Sequence, residues 1–90
     1  MRTIRYTSKL KKDYKLMKRR GKDESRLRNV IELLANDQSL PSRYRDHVLV
    51  GDYVGTRECH IESDWLLIYQ YEDDTELILV RTGSHSDLFR

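Results

Sequence analysis

The 90-residue chain holds one cysteine, one proline, one tryptophan and one phenylalanine. A lone thiol, Cys59, allows no internal disulfide and fits a reducing compartment. Long apolar runs are also missing. The longest, Trp65 to Tyr69, is strand-sized, well short of the roughly 20 residues that span a bilayer as a helix. The opening stretch MRTIRYTSKLKK has no apolar core of the kind a signal peptide needs. The expectation is a cytoplasmic protein with no membrane partner. No CxxC, HxxxH, HExxH, P-loop or GxGxxG occurs. A zinc set would have to be assembled from Cys59, Asp64 and three widely spaced histidines, so neither a metal nor any other cofactor is expected. No repeat, low-complexity tract or linker interrupts the chain, and its length suits one hydrophobic core. We expect a single domain over 1–90.

Charge is abundant but segregated. Residues 1–45 carry 14 Lys/Arg against 5 Asp/Glu, and residues 46–90 carry 3 against 10. The net charge of +2 therefore hides a basic half at +9 and an acidic half at −7. The basic half suits a polyanion, although a solvated helix face would look the same.

Periodicity divides the chain at the same place. Thr3 to Thr7 alternates as a short strand, and Thr7 or Ser8 is placed to cap a helix. Leu10, Tyr14 and Met17 share a helical face, with Lys11, Lys12, Lys15, Lys18 and Arg19 around it and Gly21 as its stop. Asp23 caps a second helix whose stripe is Leu27, Val30, Ile31 and Leu34, fading near Asn36. Residues 37–45 read as loop. Strands are then expected at His47–Val50, Arg57–Ile61, Trp65–Tyr71 and Glu76–Arg81, with Thr82-Gly83-Ser84 breaking the last and His85–Phe89 as a tail. The fold class is α+β, with two N-terminal helices packed on a mostly antiparallel, twisted sheet.

All three histidines, His47, His60 and His85, fall in the C-terminal half. Imidazole titrates near neutrality, with an unperturbed pKa of about 6.5, which suits it to proton transfer. Cleaving RNA without a metal needs a base for the 2′-hydroxyl, an acid for the leaving 5′-oxygen, and positive charge at the phosphate. Asp64 and Arg81 add a carboxylate and a guanidinium able to grip phosphate oxygens in pairs. Arg81, inside an apolar strand, would equally serve as an ion-pair partner. Trp65 and Phe89 offer rings for stacking on an unpaired base, or for the core. Cys59 shares a strand face with Ile61 and should be buried and inert.

The segment DHVLVGDYVGTRECHIESDWLLIYQYEDDTELILVRTGSHSDLF, Asp46 to Phe89, resembles the YafQ-type branch of RelE-like toxins nearly end to end. It carries Asp46-His47, Gly51, Gly55, Arg57 to Ile61, Asp64-Trp65, Leu67 to Tyr69 and Arg81 to His85 in that order. The N-terminal half agrees in its order of elements and its basic helices. Val48 and Ser63 stand where many such toxins have proline. The resemblance implies a fold like that of small microbial ribonucleases. It also implies a type II toxin that cuts messenger RNA in the ribosomal A site, halting translation. The site set it implies is His47, His60, Asp64, Trp65, His85 and Phe89. The proton would be transferred by His85 with Asp64 and His60, the phosphate held by His47, and the base pocket shaped by Trp65 and Phe89; which histidine is acid and which is base stays open. The implied partners are a cognate antitoxin, messenger RNA on the ribosome and ribosomal RNA. The antitoxin complex would be hetero-oligomeric and would bind operator DNA through the antitoxin. The basic helix gains a role in this light, since Lys11, Lys12, Lys15, Lys18 and Arg19 would hold ribosomal RNA with a steep dependence on salt. A member of this fold that binds antitoxin, ribosome or RNA without cutting is the alternative.

Overall fold

The computed structural model describes residues 1–89. Its first strand, β1 (Thr3–Tyr6), ends at Thr7, whose hydroxyl does two jobs. It accepts the Leu10 N–H at 2.9 Å, capping α1 (Ser8–Arg19), and donates to the Val80 carbonyl at 2.6 Å. The helix entry is thereby tied to a strand more than seventy residues away. At the other end of α1 the Gly21 N–H reaches the Lys18 carbonyl and the Lys22 N–H reaches the Met17 carbonyl. This double closure needs a left-handed residue, and Gly21 supplies it at φ +80. Helix α2 (Glu24–Ala35) is capped by the Asp23 carboxylate, 2.9 Å from the Ser25 N–H, and ends at Asn36 as its apolar stripe fades.

The remaining elements are β2 (His47–Val48), β3 (Arg57–Glu62), β4 (Trp65–Glu72), β5 (Glu76–Gly83) and the one-turn helix α3 (His85–Leu88). Short 3₁₀ turns at Ser42–Tyr44 and Gly51–Tyr53 flank β2. The five strands form one sheet in the order β1-β5-β4-β3-β2. Every pairing is antiparallel except β1 with β5, which is parallel. The expected α+β class with two helices on a mostly antiparallel sheet is therefore the architecture observed. β3 and β4 each run one residue further than expected, and larger differences occur at three places. β2 stops at Val48, because Gly51 at φ +73 turns the chain away. β5 runs through Thr82 and Gly83, paired with Leu67 and Leu66, so that segment extends the strand instead of breaking it. The C-terminal tail closes into α3 because Ser84 and Asp87 cap each other reciprocally.

The core lies between the helices and one sheet face. Leu10, Met17, Leu27, Val30 and Leu34 pack on Cys59, Ile61, Trp65, Leu67, Tyr69, Leu77 and Leu79. Full burial of a large apolar side chain contributes about 1.5–3 kcal/mol, so this layer holds the fold together. Among the described residues the opposite sheet face carries a small cluster, Leu66, Ile68 and Leu88, with Leu49, Tyr53 and Val80 at its margin. The rest of that face is available for polar side chains.

Candidate active site

Strand alternation places Glu58 and His60 on the face away from the helices, since Cys59 and Ile61 point into the core. The β2–β3 register sets His47 directly opposite Glu58. Asp64 lies in the β3–β4 turn, and His85 opens α3 after β5. The result is a row of rings. His47 and His60 have centroids 6.4 Å apart, His60 and His85 5.6 Å, and His85 and Phe89 6.4 Å. Tyr53 closes the row, edge-on to Phe89 at 5.6 Å. His47, His60, Asp64, His85 and Phe89 are thus gathered on one surface.

Each imidazole has a fixed partner. His85 donates Nδ1–H to Asp64 Oδ1 at 2.7 Å, and the His85 backbone N–H reaches the same oxygen at 2.9 Å. Its Nε2 is therefore the nitrogen left for a substrate. His47 donates Nδ1–H to the Arg45 carbonyl at 2.7 Å. The Nε2 atoms of His60 and His47 lie 3.3 and 3.5 Å from Oε1 of Glu58. Glu58 is buried, and its Oε2 has no hydrogen-bond partner. A buried carboxylate oxygen without a donor costs about 1–3 kcal/mol or more. The two ring nitrogens are the polar groups nearest to it, so Glu58 lies beneath both imidazoles and fixes where they stand.

Three features keep α3 in place. Gly83 allows a close approach: a Cβ there would sit 2.9 Å from the Asp87 Cβ. Asp87 accepts from the Ser84 N–H at 2.8 Å and pairs with Arg20 of α1 at 2.7 and 3.2 Å. The Arg20 guanidinium, with the Ser84 amide, holds the Asp87 carboxyl well below the usual carboxylate range. Asp64 is also lowered, first by the His85 amide and then by its ring. A lowered folded value means the Asp64 clamp is fully present above the unfolded carboxylate pKa and is lost as pH falls through the folded one. The hydrogen-bonded His85 Nδ1–H resonance should accordingly persist in an NMR titration through pH about 4 and disappear below it. Disappearance centred near pH 5 would contradict the clamp.

Two of the site residues expected in the C-terminal half, Trp65 and Arg81, are engaged in structural contacts. Trp65 is 1% exposed, packs in the helix-side core, and donates Nε1–H to the Thr82 hydroxyl at 2.9 Å. It supports the β4–β5 pairing and cannot stack on a base. Arg81 is also committed elsewhere. β1 ends opposite Leu79, so the β5 edge beyond it has no strand neighbour, and α1 crosses there. Asp13 of α1 accepts the Thr82 N–H at 3.2 Å and both Nε and Nη2 of Arg81 at 2.8 Å. Arg81 thus makes the ion pair that its apolar strand also allowed. Hydrogen bonds to charged groups contribute about 1.5–3 kcal/mol, so Arg81→Leu should lower the free energy of unfolding by about 2–3 kcal/mol in denaturant melts. An unchanged midpoint would return Arg81 to the candidate phosphate ligands.

Three lysines of α1 lie on the other side of the sheet. Lys11, Lys15 and Lys18 border a groove between α1 and α2 that is separated from the histidine row by the core; Lys12 and Arg19 are exposed on the same helix. Any contact that Lys11, Lys15 and Lys18 make with RNA is across the core from the row. Cys59 is buried, and burial pushes its thiol far above the usual range, so it is no nucleophile. Among the described residues no group of three or more His, Cys, Asp or Glu is arranged to hold a metal ion, and no helix is long and apolar enough to cross a membrane. Glu58 and Tyr53 are members of the surface that the sequence reading missed. The β3 alternation put Glu58 on the His60 side, but only the β2–β3 register sets it under both rings.

Residues 2–90 match the profile of a family described as bacterial toxin of type II toxin–antitoxin system, YafQ. The mRNA interferase toxin YafQ of Escherichia coli strain K12 is 43% identical over 89 residues, covering 98% of this chain and 96% of that protein. The E. coli DinJ–YafQ complex contains a chain with TM-score 0.90 and 41% identity, each chain covered in full. A metal-bound toxin from Helicobacter pylori has TM-score 0.92 and 43% identity, covering 99% of this chain and 100% of that one. With this fold, this row of rings and these relatives, the chain belongs to the YafQ family of bacterial toxins of type II toxin–antitoxin systems.

Proposed function

We propose that this toxin is an mRNA interferase, an endoribonuclease that cuts messenger RNA in the ribosomal A site and so inhibits translation. The observation that carries this reading is the row of three imidazoles on one sheet face, anchored by Asp64 at one end and Glu58 at the other. The 2′-oxygen attacks the adjacent phosphorus in line as its proton leaves. The bond to the 5′-oxygen breaks as that oxygen is protonated. The products are a 2′,3′-cyclic phosphate and a 5′-hydroxyl. His85 exchanges the proton through Nε2, oriented by Asp64. His60 and His47, held over Glu58, face the phosphate oxygens, and His60 is close enough to His85 to share the second transfer. Phe89, 43% exposed beside His85, is the ring available to an unpaired base. In this scheme proton transfer requires no metal, and cleavage persists in a chelator.

As DinJ is found with YafQ in E. coli, this toxin is proposed to pair with an antitoxin of its own, in a hetero-oligomer that binds operator DNA through the antitoxin. The test of the reading is inducible expression with mapping of new 5′ ends. Cuts should appear inside translated frames and vanish when the start codon of the same message is removed. Growth arrest with no new ends would leave only a binding role.

Glu58 has a distinct signature within this scheme. It acts through the two rings, so it is a positioning residue. Glu58→Gln keeps the shape and removes a buried charge with an orphaned oxygen. Cleavage should fall by about tenfold or more, while the thermal midpoint stays level or rises, as happens when a site's strained group is relieved. A midpoint that drops with cleavage intact would make Glu58 purely structural.

A further inference from the structure

A second feature lies at the sheet edge beside His60. β2 pairs only with Arg57 and Glu58, so the outer edge of β3 beyond them has no strand neighbour. Along that edge runs a cleft of about 540 Å³, walled by Arg26 and Asn29 of α2, by Arg43 and Tyr44 of the 3₁₀ turn with Arg45 just after it, and by His60 and Glu62 of β3. Its volume falls in the range of roughly 300–1,000 Å³ typical of ligand clefts. Its charge is uneven. Arg26 is paired with Glu62 at 3.4 Å, and Glu62 is further matched by Lys22 at 3.2 Å. Arg43 and Arg45 have no carboxylate within ion-pair distance among the described residues. Arg43 is steadied over the Tyr44 ring, 4.8 Å from its centroid. Arg45 is held at φ +48, outside the usual region for a residue with a side chain. That bend lets its carbonyl take the His47 Nδ1–H while its side chain lines the cleft. One residue therefore joins the cleft to the histidine row, and His60 forms part of both.

We propose that this cleft is a subsite for the RNA strand, in which Arg43 and Arg45 bind the phosphodiester next to the scissile one. The inference rests on the nuclease reading and deepens it. Paired guanidiniums match phosphate oxygens, and a cleft that shares His60 with the row puts the neighbouring nucleotide where a continuous strand would carry it.

The test uses the full chain with Arg43→Gln and Arg45→Gln together. Both side chains are exposed, and an unchanged thermal midpoint checks the fold. The probe is a short single-stranded oligoribonucleotide, 2′-O-methylated so that it binds without being cut. The double variant should bind about tenfold more weakly, and the slope of log K against log salt should become shallower by about 0.7, the share of one single-strand phosphate contact. Asn29→Asp, which brings a negative charge into the same cleft, should weaken binding without touching either arginine. In message cleavage both should need more toxin for half-maximal cutting and reach the same plateau rate. Unchanged affinity and slope in the double variant, with wild-type cleavage intact, would overturn the subsite and leave the nuclease standing. Loss of antitoxin affinity with RNA binding unaltered would overturn it as well and assign the cleft to the protein partner. No RNA cleavage by the wild type would instead overturn the nuclease reading itself.

Discussion

His85→Ala should abolish growth arrest and messenger cleavage and leave the fold untouched. The His85 ring bonds Asp64 and lies beside the His60 and Phe89 rings, and about half of its side chain faces solvent. Removing it opens no cavity. The α3 start remains held by the backbone N–H of residue 85 on Asp64 and by the Ser84–Asp87 capping pair. A change within about 0.5 kcal/mol is the usual result for such a surface position. Loss of a positioned general acid or base removes about 10²–10⁴ of rate, enough to turn a lethal expression level into a tolerated one. New 5′ ends mapped after induction, together with a thermal melt, report the two halves of the prediction separately. Full toxicity in a folded His85→Ala protein would remove His85 from the reaction, and with it the role given to Asp64.

Trp65→Ala should fail for the opposite reason. The indole is buried in the helix-side layer among the residues that carry α1 and α2, and its N–H satisfies the Thr82 hydroxyl. Truncation of a buried tryptophan costs about 3–5 kcal/mol. The total stability of a small domain is about 5–15 kcal/mol, so the variant stands close to unfolding at growth temperature. Toxicity should be lost through loss of folded protein. Two measurements separate this from a base-stacking role. The unfolding midpoint of purified Trp65→Ala should fall steeply, and its folded fraction at low temperature should cut RNA at the wild-type rate. A stable variant with no cleavage would reinstate Trp65 as part of the substrate pocket.

Part of this protein is legible in its sequence. The caps at Thr7 and Asp23, the stop at Gly21 and the stripes of both helices are local, because each depends on groups within one or two turns of the chain. The β4–β5 hairpin is local in the same sense, with Asp73 at φ +53 in its turn. The convergence of the histidines was legible only through resemblance. Nothing in the spacing of positions 47, 60 and 85 requires them to meet.

Trp65 shows where pattern reading fails. Trp65 to Tyr69 is apolar at every position, so period two cannot say which face is which; both faces of central β4 are covered, one by helices and one by the Leu88 cluster. Arg81 fails for a different reason. Its partner Asp13 is 68 residues away, and only the early end of β1 exposes the strand edge that α1 and Asp13 then satisfy.

By itself, the sequence determined the helices with their caps, the strand-rich C-terminal half, the separation of charge and the residue types able to move a proton. The tertiary structure alone decided the parallel addition of β1 to β5, the burial of Glu58 beneath two imidazoles, the withdrawal of Trp65 and Arg81 into structural roles, and the arginine cleft beside His60. The division follows from distance along the chain. Caps and periodicities are set by neighbours in sequence, whereas strand register and ion-pair choice depend on which surfaces the folded sheet brings together.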